Sequence, residues 1–328
     1  MKRQSIYKRQ HGKNFKYLVI FTVVGLFFWF FNSNQQGSDS ELSEIPLVAG
    51  VSSSEALPSP QPSDSPTPKP LSENFKSLQE VVEKSLEGTH GTYSVYIKHL
   101  KTNESYAHNE NRVYESGSLY KLWTMATVFD QLESGELEED QKLSQGIAVL
   151  NRKFSISPEN AEQTSGTITL TVKEALNQMI TISHNYAALL LTEKIKLSTV
   201  GKWLDENKFT NSKVGSDGSA PQTTALDMAL FLERLYHAEL GSAENTNKML
   251  DLLKAQKLNN KLPLYLPTGT IIAHKTGELG WFSHDAGIVY TQKGDYIIVV
   301  LSESSSPKGA EERIGLLSKH VFDYFSKK

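Results

Sequence analysis

Cysteine is absent from all 328 residues of the chain. Its absence excludes a disulfide framework, a thiolate nucleophile and any thiolate metal site. The nine histidines include no H-E-x-x-H pair, so nothing in the sequence points to zinc, another metal or a cofactor. A strong charge imbalance is also lacking: the formal net charge is −3, which argues against nucleic acid as the main partner. No internal repeat is visible. Acidic residues are missing from the start of the chain, where none occurs before Asp39.

That acid-free start has a composition of its own. Residues 1–16, "MKRQSIYKRQHGKNFK", carry six lysines or arginines, and Tyr17–Phe31, "YLVIFTVVGLFFWFF", follow with no charge. The run is somewhat shorter than the ~20 residues of a usual transmembrane helix, but Lys13 and Lys16 can snorkel and Asn32–Asn34 can complete the span. A cleaved signal peptide shares the basic start and apolar core, but bulky Trp29, Phe30 and Phe31 close this run without a small-residue cleavage pattern. The expectation is an uncleaved anchor over 17–31, with the basic segment 1–16 in the cytoplasm and the rest of the chain outside, a single-pass protein of the cell membrane. Residues 32–73 are Ser-, Gln- and Pro-rich, and "LPSPQPSDSPTPKP" alone holds six prolines. Such a stretch forms neither helix nor central strand and reads as an extended linker.

Residues 74–328 carry ordered patterning. Phe75, Leu78, Val81, Val82 and Leu86 share one helical face. "TYSVYIKHL" alternates like a strand, and the middle of the chain, Leu119 to Leu253, is mostly helical. "TVKEALNQMI", "NYAALLLTEKI" and "TTALDMALFLERLYHAEL" are its clearest segments, the last capped by Thr223 or Thr224. Strands return as "TIIAHKTG", "SHDAGIVYT" and "DYIIVVLSE", and "AEERIGLLSKHVFDYF" reads as a closing helix. Strands at both ends with helices between them predict an α+β fold, an antiparallel sheet built from both chain ends with an inserted all-helical subdomain.

Three short groups of residues carry chemistry. In "ESGSLYK", Ser118 and Lys121 stand three apart near the start of a predicted helix, so the amine can meet the hydroxyl. A buried lysine loses basicity and can accept a proton near neutral pH, and the helix start offers unpaired N–H groups to an oxyanion. The bland alternative is a serine cap beside a solvated lysine. In "MITISHNYAALLL", Ser183 and Asn185 lie in an interhelical turn, where they can face a cleft or merely cap the second helix. In "TIIAHKTGELG", Lys275, Thr276 and Gly277 end a strand, where an ammonium and a hydroxyl suit an anionic substrate and glycine permits close approach.

S-x-x-K, S-x-N and K-T-G occur in that order, each on the element its chemistry needs. Together with "TVFDQLESGEL", "NYAALLL" and "HKTGELGWFSHDAGIVY", they resemble the penicillin-recognising serine enzymes, most closely the class A β-lactamase family, over about residues 75–328. The resemblance implies that Ser118 attacks the carbonyl, Lys121 helps remove its proton and Ser183 relays a proton to the leaving nitrogen. Asn185 would hold the substrate amide, and Lys275 and Thr276 its carboxylate. The backbone N–H groups of Ser118 and Glu278 would form the oxyanion hole. The substrate would be a β-lactam or a peptidoglycan stem peptide, taken by a monomeric catalytic domain. A D,D-carboxypeptidase and a non-catalytic cell-wall-binding module are the alternatives.

One family feature is missing. Class A β-lactamases carry Glu-x-x-Leu-Asn on an omega loop between the S-x-N turn and the K-T-G strand, and its glutamate activates the deacylating water. Here the region reads "LDENKFTNSKVGSDGSAPQTTALDM", in which Glu206 lies in a helix-like run and Asp217 in a "GSDGSAP" turn, neither matching. Slow deacylation is expected. No Arg or Lys lies between Thr276 and Lys293, so an extra basic anchor on the next strand is not evident. His184 and His274 read as structural. Trp281 and Phe282 can be cleft wall or core, and Tyr120 can line the pocket beside Lys121, with core packing the favoured reading.

Overall fold

The computed structural model describes residues 75–215 and 219–328. The expected basic start, anchor and linker, and Asp217, lie outside the described residues. Among the described residues no helix is long and apolar enough to cross a membrane.

The described chain begins with α1 (Leu78–Leu86), capped by the Ser77 hydroxyl, which accepts from Glu80 N at 3.2 Å. The apolar face read from the sequence packs as one unit, with Leu78, Val81 and Val82 buried and Phe75 and Leu86 at its margin. β1 (Thr92–His99) and β2 (Ser105–His108) form a hairpin, and β1 pairs on its other side with β9 (Tyr296–Glu303). With β7 (Ile271–Leu279) and β8 (Phe282–Tyr290) they make a five-stranded antiparallel sheet in the order β2-β1-β9-β8-β7. The sheet is therefore assembled from distant segments, as the α+β reading requires.

Both faces of the sheet are covered. Tyr296, Ile298 and Val300 of β9 pack with α1 and the closing α9 (Pro307–Ser326), while Ile297, Val299 and Leu301 pack with the helices on the opposite side. This is why "YIIVVL" is apolar throughout rather than alternating. The inserted helices are α2 (Lys121–Glu133), α3 (Ile147–Lys153), α4 (Val172–Thr181), α5 (Asn185–Ile195), α6 (Leu197–Glu206), α7 (Ala225–Tyr236) and α8 (Ala243–Lys254). Every residue of α2 from Lys121 to Phe129 is buried, the mark of a helix surrounded by others. Thr224 caps α7, its Oγ1 accepting from Asp227 N at 3.1 Å. Two small ladders escaped the sequence reading: β3 (Tyr114–Glu115) with β6 (Gln222–Thr223), and β4 (Lys142–Gly146) with β5 (Thr167–Thr171). The first is too short to give a hydrophobic period, and the second alternates only in Thr167–Thr171, where Ile168 and Leu170 are just partly buried.

Candidate active site

Ser118 does not open a helix as the sequence suggested. Gly117–Tyr120 form a 3-10 turn, and α2 begins only at Lys121. The turn is tight because it touches the edge strand backbone to backbone. A Cβ on Gly117, which has φ +49°, would fall 2.7 Å from Glu278 N. A Cβ on Gly277 would fall 2.7 Å from Ser116 O and 2.9 Å from Leu119 Cγ. Gly277 thus makes room for the protein's own turn, which corrects its reading as a place of ligand approach. The contact sets the backbone N–H of Glu278 beside the turn that carries Ser118, a pairing suited to holding an oxyanion.

Lys121 is fully buried at the start of α2. Its Nζ donates to Ser183 O (2.5 Å), Ser183 Oγ (3.1 Å) and Asn185 Oδ1 (2.7 Å). Three acceptors saturate an ammonium. Among the described residues Ser118 Oγ has no hydrogen-bond partner, so the expected Ser118–Lys121 bond is not made in this state. Burial holds the Lys121 pKa well below the ordinary lysine value, and the nearby Lys275 pushes it down further. A lysine that gives up one proton frees a position to accept the proton of Ser118.

Ser183 sits in the α4–α5 turn at φ +57°, a left-handed conformation uncommon for a residue with a side chain. It is not the cap of α5, and neither is Asn185. His184 is, its Nδ1 accepting from Ala187 N at 3.1 Å. This frees Ser183 Oγ to accept from Lys121 on one side and from Lys275 Nζ on the other, at 3.0 Å. Lys275 is fully buried, also donates to Thr276 O (2.7 Å), and is lowered to about 7, chiefly by burial. Asn185 Nδ2 donates to Glu162, a carboxylate the sequence reading passed over.

These groups lie around a cavity of about 450 Å³ lined by Ser118, Ser183, Asn185, Thr276 and Glu278, with Tyr120 and Phe282 among its walls. Trp281 is 58% exposed and belongs neither to the wall nor to the core. His274 is structural, as expected: it is buried against Asp285 (3.0 Å) and Asn259 (3.2 Å). Among the described residues no group of His, Asp or Glu could hold a metal ion.

A model of the beta-lactamase enzyme family matches residues 75–325. The chain belongs to that family. It is a serine hydrolase of the class A β-lactamase-like type. It is 23% identical over 270 residues to the beta-lactamase VEB-1 of Pseudomonas aeruginosa, covering 75% of this chain and 90% of that protein. The fold matches a beta-lactamase from Sphaerobacter thermophilus with a TM-score of 0.67 at 22% identity, over 77% of this chain and 98% of the other. It also matches a mutant of PBP-A, an acyl-enzyme complex with penicillin-G, with a TM-score of 0.67 at 21% identity, over 76% and 96%.

Within this beta-lactamase-family site, the structure adds residues that no motif marks. Lys261, from the loop before β7, is fully buried and ion-paired to Glu278. Glu311 of α9 lines the cavity. A lone lysine fourteen positions before K-T-G and a glutamate in the last helix give no local pattern. The other candidate base is excluded by position: Glu206 ends α6, is exposed, pairs with Lys202 at 3.3 Å and does not line the cavity. The segment between α6 and α7 is closed by a Lys213–Gln222 bridge, and Pro221 O accepts from Ser116 N at 2.8 Å, tying it to the Ser118 turn.

Proposed function

We propose that the chain is a membrane-tethered, extracytoplasmic hydrolase that forms an acyl-enzyme on Ser118 with β-lactams and releases it slowly. One observation carries the chemistry: two buried lysines converge on the Ser183 hydroxyl beside Ser118. In the reaction Ser118 Oγ bonds to the carbonyl carbon, and the amide C–N bond breaks. The serine proton passes to Lys121, then through Ser183 to the leaving nitrogen. The backbone N–H groups of Ser118 and Glu278 hold the oxyanion, and Asn185 and Thr276 orient the substrate. That a PBP-A mutant with this fold is an acyl-enzyme complex with penicillin-G supports the reading.

Water must then attack the ester, and no glutamate lies between α6 and α7 to activate it. This absence favours a second reading, a D,D-carboxypeptidase on peptidoglycan stem peptides that β-lactams inhibit. Labelling with a fluorescent penicillin tests both readings. Labelling should appear in the full chain and vanish in Ser118→Ala; a label that persists in that variant refutes the assignment. The orientation is checked separately: protease added to spheroplasts should digest the domain, and complete protection would reverse the topology.

A further inference from the structure

Thr276 and Glu278 stand two apart on β7, so their side chains leave the same face, and both line the cavity. The Glu278 side chain is 40% exposed and accepts from Lys261, whose own side chain is fully buried. Glu311, also lining the cavity, lies 3.9 Å from the same ammonium and is 19% exposed. Asn260 lines the cavity beside them. Two carboxylates on this wall therefore share one buried ammonium. The other cation nearby, Lys275, is spent beneath the wall on Ser183 Oγ and Thr276 O.

We propose that Glu278 and Glu311 determine specificity, making this wall prefer substrates with a positively charged amine beside or in place of the carboxylate over substrates with the carboxylate alone. The inference rests on the acyl-enzyme reading above. An anionic group on the Thr276 hydroxyl stands about 6–7 Å from Glu278, the two-residue rise of a strand. Lys261 offsets little of that repulsion, because its charge is already matched by Glu278. An ammonium in the same place is attracted by both carboxylates and leaves the Lys261 pair intact. Complementarity of this kind decides between substrates even where it adds little total affinity.

The test uses two cephalosporins identical except for the substituent next to the carboxylate, a neutral acetoxymethyl or a cationic pyridiniomethyl. Their second-order rate constants for acylating Ser118 are measured in the full chain, in Glu278→Gln and in Glu311→Gln. The unaltered chain should favour the cationic compound by about fivefold or more, and each variant should bring that ratio toward one. The ratio is taken within one preparation, so a partly inactive variant does not move it. Should Glu278→Gln fail to fold with Lys261 left unpaired, Glu311→Gln carries the test. A ratio at or below one in the unaltered chain, or one unchanged in the variants, overturns the inference and leaves the acyl-enzyme reading standing. No acylation by either compound overturns both.

Discussion

Lys121 and Lys275 meet on one oxygen: each donates from Nζ to Ser183 Oγ, at 3.1 and 3.0 Å. Both are fully buried, and the charge of Lys275 works against that of Lys121. A hydroxyl with both lone pairs occupied keeps its own hydrogen free to donate. Ser183 is thereby set to pass a proton onward, while repulsion between the lysines helps Lys121 to lose its own.

Ser118 and Lys121 should therefore behave as a unit. Lys121→Ala should abolish acylation nearly as fully as Ser118→Ala, and the double variant should be no worse, because both serve one proton transfer. Ser183→Ala should slow acylation by ~10²–10⁴-fold. Acylation in the unaltered chain should rise with pH as Lys121 deprotonates. Stopped-flow acylation by nitrocefin checks all of these, and normal acylation by Lys121→Ala would remove the base assignment.

Lys275 should cost stability in a pH-dependent way. Its pKa in the fold is about 7, below the ~10.4 of an unfolded lysine, so the unfolded state binds more protons between those values. The cost is then complete below pH 7 and fades as pH rises toward 10. Lys275→Met should raise the melting temperature at pH 6 by about 4 °C or more, less what Ser183 and Thr276 lose as partners. The gain should shrink by pH 9. A difference independent of pH would show that the burial of charge is not its cause.

The sheet strands and long helices were legible because burial writes a period into them, as in "NFKSLQEVVEKSL" and "TVKEALNQMI". Ser118, Lys121, Ser183, Asn185, Lys275, Thr276 and Gly277 were legible because three motifs fell in order on suitable elements. Lys261, Glu162 and Glu311 were not. Each reaches the site from a separate loop or helix, and only the folded chain sets Glu162 on Asn185 and Lys261 between Glu278 and Glu311. Nor could the sequence say that His184, rather than Ser183 or Asn185, caps α5, since that depends on backbone angles in a three-residue turn.

Glu162 should restrain acylation. Its carboxylate occupies the Asn185 amide that would otherwise face substrate, and its charge favours the protonated form of Lys121. Glu162→Ala removes both effects, so acylation at pH 6 should speed up by about twofold to tenfold. Slower acylation would show instead that Glu162 holds Asn185 in its working orientation.

Gly277→Ala should separate fold from activity. Its Cβ would press on Ser116 O and Leu119 Cγ, pushing the turn that carries Ser118 away from Glu278 N. A displacement near 1 Å costs ~10²-fold in rate. Circular dichroism should show the fold retained while penicillin labelling falls by that order. Unchanged labelling would mean the turn yields without moving the nucleophile.

The last prediction concerns release of the acyl group. Every group that acylation needs has a place here: Ser118 on the cavity, Lys121 and Ser183 beside it, and the turn against Glu278 N. Deacylation needs in addition a base aimed at a water next to the ester. Glu206 is turned to solvent with Lys202, and residues 207–224 between α6 and α7 contain no glutamate. The carboxylate of Glu278 is held by Lys261, and that of Glu162 by Asn185, so neither is free to take a proton without breaking its own contact. A missing general base slows a step by ~10²–10⁴-fold. Nitrocefin should accordingly give a burst equal to the enzyme concentration followed by slow turnover, and after mixing with penicillin G mass spectrometry should find the penicilloyl adduct on Ser118 for minutes. Turnover at hundreds per second with no adduct would mean that another carboxylate, Glu311 on the cavity wall or Asp217 outside the described residues, activates the water.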